Sequence, residues 1–471
     1  MWKGAALPSP RSVVTGRRAR YAALAAALIL VPAAVSSCTA TRAARDYDGV
    51  GATPAMGWSS WSFLRQHPTA AGLEAQAAAM VSSGLSSAGY DYLNLDDFWY
   101  RCPGSQGPDV DSYGRWVTSA AEFPPGSGGQ NGIQVVASYV HSLGLKFGLY
   151  VTPGISRQAV SRNTPIMGTS YTARQIATTT SELNDNCGGM VGIDYLAPGA
   201  QDFINSWADE FASWGVDYLK LDGVGDSDIA DVEAWSAALK QTGRPIHLEL
   251  SNSLDITQAA TWVAYSNGWR TGADIECYCG TPLTDWSNVQ LRFAQAAQWQ
   301  PYGGPGGFND YDSIEVGNGP ARDGITDAEA QSQLSLWAMA ASPIVLGADL
   351  THLNAAELGY LKNGLVIAVD QDGIDGRRIL SDGRQQVFAK TEHNGDVILG
   401  LFNDGGSTSQ TVTVSLAAAG IRGRATATNL WTGAPAGTLG GTYRVTLGAG
   451  AVRLLRLTPV SGTTAAAGAA W

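Results

Sequence analysis

The sequence is short of charge and of histidine: only 15% of its 471 residues are charged, and there are five histidines. So little charge does not describe a solvated, disordered chain. Its net charge is −11 although the first 37 residues carry five basic residues and no acidic one, which argues against a nucleic-acid partner. No long apolar run is present beyond residues 21–35, which is too short for a spanning helix. No repeat of fixed period appears, so solenoids and propellers fall away. Cysteine is scarce too, at five. The close pair in Cys277-Tyr278-Cys279 has no second cysteine pair nearby, and with so few histidines it points to disulfides rather than to a zinc site. The glycines of Gly304-Pro305-Gly306-Gly307 are not followed by Gly-Lys-Ser/Thr, so they do not make a phosphate loop.

What the chain does have is glycine (57) and tryptophan (15), the composition of a compact exported protein with aromatic-lined sites. A basic stretch ending in Arg17-Arg18-Ala19-Arg20, the apolar run and then Val35-Ser36-Ser37-Cys38 read as a secretory signal over residues 1–37. Val-Ser-Ser-Cys resembles a bacterial lipobox. On that reading Cys38 is the lipidated first residue, and the protein is anchored to the outer face of the cell membrane. The alternative is an ordinary cleaved signal and free release; Arg17-Arg18 hints at twin-arginine export. In an oxidising compartment Cys102, Cys187, Cys277 and Cys279 permit three pairings, which the sequence leaves open.

Strand-like runs at residues 55–58, 90–96, 146–151, 217–222, 246–250, 269–274, near 300–302 and 343–346 alternate with helical windows at 70–85, 132–143, 200–214, 231–241, 286–298 and 327–340. This rhythm predicts an α/β fold, a (β/α)8 TIM barrel, over residues 51–365 after a linker at 38–50. From 366 to 459 short alternating runs broken by Gly, Asn and Asp predict a C-terminal antiparallel β-sandwich, with a disordered tail at 460–471.

Two aspartates carry the chemistry. Asp222 ends the run Val216-Asp217-Tyr218-Leu219-Lys220-Leu221-Asp222, and Asp274 closes Trp269-Arg270-Thr271-Gly272-Ala273-Asp274. Each reads as an acid at the carboxyl end of a barrel strand, where such enzymes keep their reactive groups, with a cation (Lys220, Arg270) beside it. Lys220, two residues before Asp222, shares its side of the strand and favours its ionised form. Asp274 then faces a negative neighbour that helps it keep its proton. Singly, Lys220–Asp222 reads equally as a surface pair and Arg270–Asp274 as a helical i,i+4 pair. The adjacent acids Asp96 and Asp97 cannot both face a core, so one meets solvent or ligand. Trp61 offers an apolar wall, and Tyr150 a polar-tipped aromatic.

With the segments around them, these motifs resemble glycoside hydrolase family 27, the retaining α-galactosidases (melibiases) and α-N-acetylgalactosaminidases, over most of the chain. Met56-Gly57-Trp58-Ser59-Ser60-Trp61 is similar to the family's Met-Gly-Trp-Asn-Ser-Trp, and Gly304-Pro305-Gly306-Gly307-Phe308-Asn309-Asp310-Tyr311-Asp312-Ser313 to its Gly-Pro-Gly-Gly-Trp-Asn-Asp-Pro-Asp-Met. The resemblance implies an exo-acting α-galactosidase working without metal or cofactor on a saccharide with a terminal α-linked sugar. Asp222 is then the nucleophile and Asp274 the acid/base. It also implies that Asp96 and Asp97 bind hydroxyls including the axial O4 of galactose, that Asp312 lies near the acid/base, and that Cys187 borders the sugar.

The chain departs from that pattern in several places. Phe98 stands where the family commonly has Cys, and residues 151–186 form a long insertion ahead of Cys187. Ser251-Asn252 aligns with the Glu-Trp that α-galactosidases carry beside C2 of the sugar. Rival readings are therefore an isomaltodextranase-like or α-N-acetylgalactosaminidase-like enzyme and, in another class, a sugar-binding lipoprotein without turnover.

Overall fold

The computed structural model describes residues 49–460 and the backbone of a last short strand, Thr464–Ala465. The expected signal, the Cys38 anchor and nearly all of the linker and tail lie outside the described residues.

Eight parallel strands form one sheet: β1 (Met56–Ser59), β2 (Tyr92–Asn94), β3 (Lys146–Val151), β4 (Tyr218–Leu221), β5 (His247–Leu250), β6 (Gly268–Arg270), β7 (Phe308–Asp310) and β8 (Ile344–Leu346). Their order is β7-β6-β5-β4-β3-β2-β1-β8. The edges meet through Ile314, whose N–H donates to the Val345 carbonyl (2.8 Å) and whose carbonyl accepts from Gly347 (3.0 Å), closing the expected barrel. Two expectations need correction. The seventh strand is Phe308–Asp310, whereas residues 300–302 turn out of the preceding helix. The sixth strand ends at Arg270, so Asp274 stands in the loop beyond it.

The outer helices follow from spacing and caps. Ala200–Trp214 buries Phe203, Ile204, Trp207, Ala208, Phe211 and Trp214, a three-and-four repeat on one face, and it stops at Gly215, whose φ of 89° suits glycine. Asp327–Met339 starts with a capping box between Thr326 and Glu329. Inside the barrel, alternation turns Tyr218 and Lys220 to the lumen while Leu219 and Leu221 pack into the main core. Tyr218 stacks on His247, with ring centroids 4.4 Å apart, and fills the floor. On β6 the lumen position is Gly268, where a Cβ would stand 1.9 Å from Glu249 Oε2. A smaller residue therefore makes room for the buried acid.

The insertion after β3 is folded rather than loose. Ile155–Ser156, Ala177–Glu182 and Met190–Ile193 make a three-stranded antiparallel sheet carrying the short helices Arg157–Arg162 and Ala173–Ile176. The Cys102–Cys187 disulfide ties its far end to the loop after β2 across 85 residues of sequence.

The C-terminal layer is a six-stranded antiparallel sheet facing a two-stranded ladder, Gln410–Ser415 with Thr442–Leu447. Its central strand Val397–Asn403 is buried on both faces. Leu399 and Leu401 look into the sandwich core, while Ile398 and Phe402 join the barrel core. Lys390, from Gln385–Thr391, crosses this joint and donates to the carbonyls of Ala338 (3.1 Å), Val369 (2.5 Å) and Ile374 (2.8 Å). Replacing it with methionine strands those carbonyls, at on the order of 3 kcal/mol. Lys390→Met should therefore lower the thermal midpoint measurably, with both layers melting earlier; an unchanged midpoint contradicts this account of the joint.

Candidate active site

The carboxyl ends of the strands open onto a cleft of about 510 Å³. Below it lies a hollow of about 50 Å³ that reaches into the lumen. The two share Trp61, Asp96, Lys220 and Asp274. Of the remaining residues named from sequence, Asp97, Tyr150 and Asp222 line the cleft, and Ser251, Arg270 and Asp312 the hollow. Cys187 lines neither; it is bonded to Cys102, and its neighbours Asp185 and Asn186 form the wall instead.

Two cations organise the acids. Lys220 Nζ lies 2.9 Å from Asp96 Oδ2 and 3.8 Å from Asp222 Oδ1, so its nearer partner is Asp96 and not the adjacent-in-sequence Asp222. Burial works against its charge, but Asp222 and Asp96 outweigh burial and hold Lys220 above the ordinary lysine range. Arg270 bridges the other side, with Nη2 2.8 Å from Asp274 Oδ1 and Nη1 3.1 Å from Asp312 Oδ1. The loop carrying Asp274 is pinned, since Asp312 Oδ2 accepts from Ile275 N (2.7 Å) and Arg292 donates to the Ala273 carbonyl.

The protonation of Asp274 reverses the expectation. Burial pushes its pKa up, but the Arg270 guanidinium and a hydrogen bond donated by the Tyr278 hydroxyl prevail and hold it down at about 2. In the unliganded cleft this carboxyl is ionised. Nearby acids without a direct Lys or Arg contact behave oppositely: burial, the largest effect for each, pushes Asp97 up to about 6, Glu276 to about 7, and Glu249 and Asp310 to about 8.

Aromatic groups form the rest of the wall. Trp61 stacks on Phe98 at 6.5 Å, where the family's cysteine would stand, and its Nε1 donates to Tyr278 Oη (2.9 Å). Tyr150 is placed by Trp99, whose indole donates to its carbonyl (2.8 Å). Sequence reasoning missed Arg65, Gln66, His67, Asp185, Asn186 and Tyr278, all in the cleft, and Glu276, which accepts from Ser62 Oγ at 2.6 Å; Asn252, aligned with the family's residue beside C2, does line the cleft. Asp185-Asn186 ahead of Cys187, Glu276 two residues past Asp274, and Tyr278 between two cysteines were the available signals.

Comparison with known proteins adds ancestry. A family model described as alpha galactosidase A matches residues 53–163 and 182–372, passing over residues 164–181 in the middle of the strand-and-helix insertion. A second, described as the alpha galactosidase C-terminal beta sandwich domain, matches residues 382–457. An α-galactosidase of Oryza sativa subsp. japonica is 32% identical over 82% of this chain and 80% of its own length. One of Coffea arabica is 34% identical over 82% of this chain and 88% of its own. Among solved structures, a β-L-arabinopyranosidase of Geobacillus stearothermophilus superposes with a TM-score of 0.79 at 29% identity, over 87% of this chain and 98% of that one.

The paired charges carry a stability test. Lys220→Met leaves Asp96 buried without its cation, at about 3 kcal/mol when that acid is ionised. Asp96's pKa is already raised above 3.8, first by burial, and losing Lys220 raises it further. The penalty is therefore full above the folded pKa and fades as pH falls toward the unfolded value. Denaturation midpoints should drop more at pH 8 than at pH 5; equal drops contradict the pairing.

Proposed function

The chain belongs to the α-galactosidase (melibiase) family, glycoside hydrolase family 27, and is a glycoside hydrolase; from that premise we propose that it releases terminal α-linked galactose with retention of anomeric configuration. The carrying observation is that Asp222 and Asp274 line one cleft, with Lys220 and Asp96 between its upper and lower parts. Retaining hydrolysis needs two carboxyl groups roughly 5–5.5 Å apart flanking one glycosidic bond.

In this reading the sugar ring lies against Trp61, its hydroxyls donating to Asp96 and Asp97. Asp222 Oδ attacks C1 while Asp274, having taken a proton from solvent as the substrate enters, gives it to the departing glycosidic oxygen, which leaves a glycosyl ester on Asp222. Water then attacks C1 from the Asp274 side, loses a proton to the Asp274 carboxylate, and frees Asp222. Lys220 sets its ammonium 3.8 Å from Asp222 Oδ1, and Arg270 holds Asp274 and Asp312 in fixed orientation.

A second reading draws on the likeness to the arabinopyranosidase, at a TM-score of 0.79. β-L-Arabinopyranose has the ring stereochemistry of α-D-galactopyranose without the exocyclic carbon. Ser251, nine-tenths and more buried with its hydroxyl unpartnered, leaves the deep hollow less filled than a larger side chain would. Aryl α-galactoside, β-L-arabinopyranoside and α-N-acetylgalactosaminide, with dextran, form the deciding panel. Turnover of dextran alone overturns the galactosidase reading.

Asp274→Asn tests the division of labour. Loss of a general acid lowers the rate by about 10²–10⁴ on a galactoside with a poor leaving group and much less on an activated aryl galactoside. An equal loss on both assigns Asp274 another role, and a wild-type protein that binds sugar without turnover supports the binding-protein reading.

A further inference from the structure

The motif Cys277-Tyr278-Cys279 takes no part in the reading above, yet its tyrosine reaches the centre of the cleft. The two cysteines are bonded to each other. The base of their loop is closed by the bridge between Glu276 and Thr284 and by Cys277 N donating to the Leu283 carbonyl (3.0 Å). Tyr278 therefore stands at the tip of a tied loop, with φ of 48° and 56% of its surface exposed. Its hydroxyl donates to Asp274 Oδ2 and accepts from Trp61 Nε1 at 2.9 Å. The Arg65 guanidinium lies 4.6 Å from its ring centroid.

Both oxygens of Asp274 are consequently occupied, Oδ1 by Arg270 and Oδ2 by Tyr278. A group that hands a proton to a glycosidic oxygen must turn one oxygen toward it, so one partner has to yield. Arg270 cannot: it is 5% exposed and also bonded to Asp312. Tyr278 is the partner that can yield, because it is exposed where Arg270 is buried, and the tied loop holds its backbone in place.

Resting on the glycosidase reading, we propose that Tyr278 is a positioning residue held by the Cys277–Cys279 loop, one that occupies Asp274 Oδ2 in the empty cleft, gives way to the leaving group, and returns when that group departs. Displacement removes a donor that favours the carboxylate, so Asp274 gains proton affinity when it has to act as acid. Return of the hydroxyl restores the carboxylate that water needs as base.

Other charges face the pair as well. Lys220 and Asp222 look across from β4, Arg270 from β6, Asp312 from beyond β7, Glu276 from the same loop, Arg65 from beyond β1 and Asp185 from the insertion. All of them remain in a Tyr278→Phe protein, which loses the hydroxyl alone.

The experiment compares wild type, Tyr278→Phe and Cys277→Ser/Cys279→Ser as full chains. The first measurement is the Asp274 titration in the unliganded protein, by carboxyl ¹³C NMR, assigned by its disappearance in Asp274→Asn. The second is the pH profile of kcat/KM on an aryl α-galactoside. Tyr278→Phe should raise the Asp274 titration by about one pH unit and carry the alkaline limb of the profile upward with it. The double serine variant should shift both in the same direction by less.

A uniform fall in activity with neither the limb nor the titration displaced makes Tyr278 a merely structural residue and overturns the proposal. The titration needs no substrate. Failure of wild type to cleave the galactoside counts against the function proposed above, while the titration still decides for or against Tyr278.

Discussion

The site depends on two cations placed among acids. Lys220 on β4 and Arg270 on β6 each bridge a pair of carboxylates, Asp96 with Asp222 and Asp274 with Asp312. Burial and mutual repulsion in a barrel mouth crowded with acids both favour the protonated form, and neighbouring cations oppose them. Glu249 and Asp310, which lack such a bridge, are pushed up to about 8; Asp96 is raised by burial even with Lys220 beside it, and Asp274, with Arg270 and Tyr278, is held at about 2. Strand alternation then does the positioning: a lysine at the second-last place of β4 and an arginine at the last of β6 necessarily look into the lumen.

Much of this was legible in the chain because the signals are local. Ala200–Trp214 is announced by glycine at either end and an apolar face at helical spacing, and Lys146–Val151 by an unbroken apolar run. Phe308–Asp310 was not, since three residues beside Gly303, Gly304, Gly306 and Gly307 make no run; pairing with β6 makes it a strand. Strand Pro435–Gly440 is equally silent, being mostly small residues held by its ladder to Arg424–Asn429.

The site divides in the same way. Asp222, Lys220 and Arg270 carry their context in neighbouring residues, whereas Tyr278 meets Trp61 across 217 positions, a contact no local pattern encodes. The ionised state of Asp274 was misjudged for that reason: its negative neighbours could be counted along the sequence, but the tyrosine hydroxyl and the strength of the Arg270 contact come from tertiary packing. Several structural elaborations gather at the mouth. They are Phe98 against Trp61, the Cys102–Cys187 tie, the folded insertion, of which the family model passes over residues 164–181, and the Cys277–Cys279 loop.

The central claim is that Asp222 bonds to the anomeric carbon while Asp274 stands across the cleft. Incubation with a fluorinated galactosyl fluoride that forms but slowly releases a glycosyl ester, followed by peptide mass mapping, tests it directly. The account predicts one sugar mass on the peptide containing Asp222 and none in Asp222→Asn. A label on another carboxylate, or product released with inverted configuration and no label at all, contradicts it.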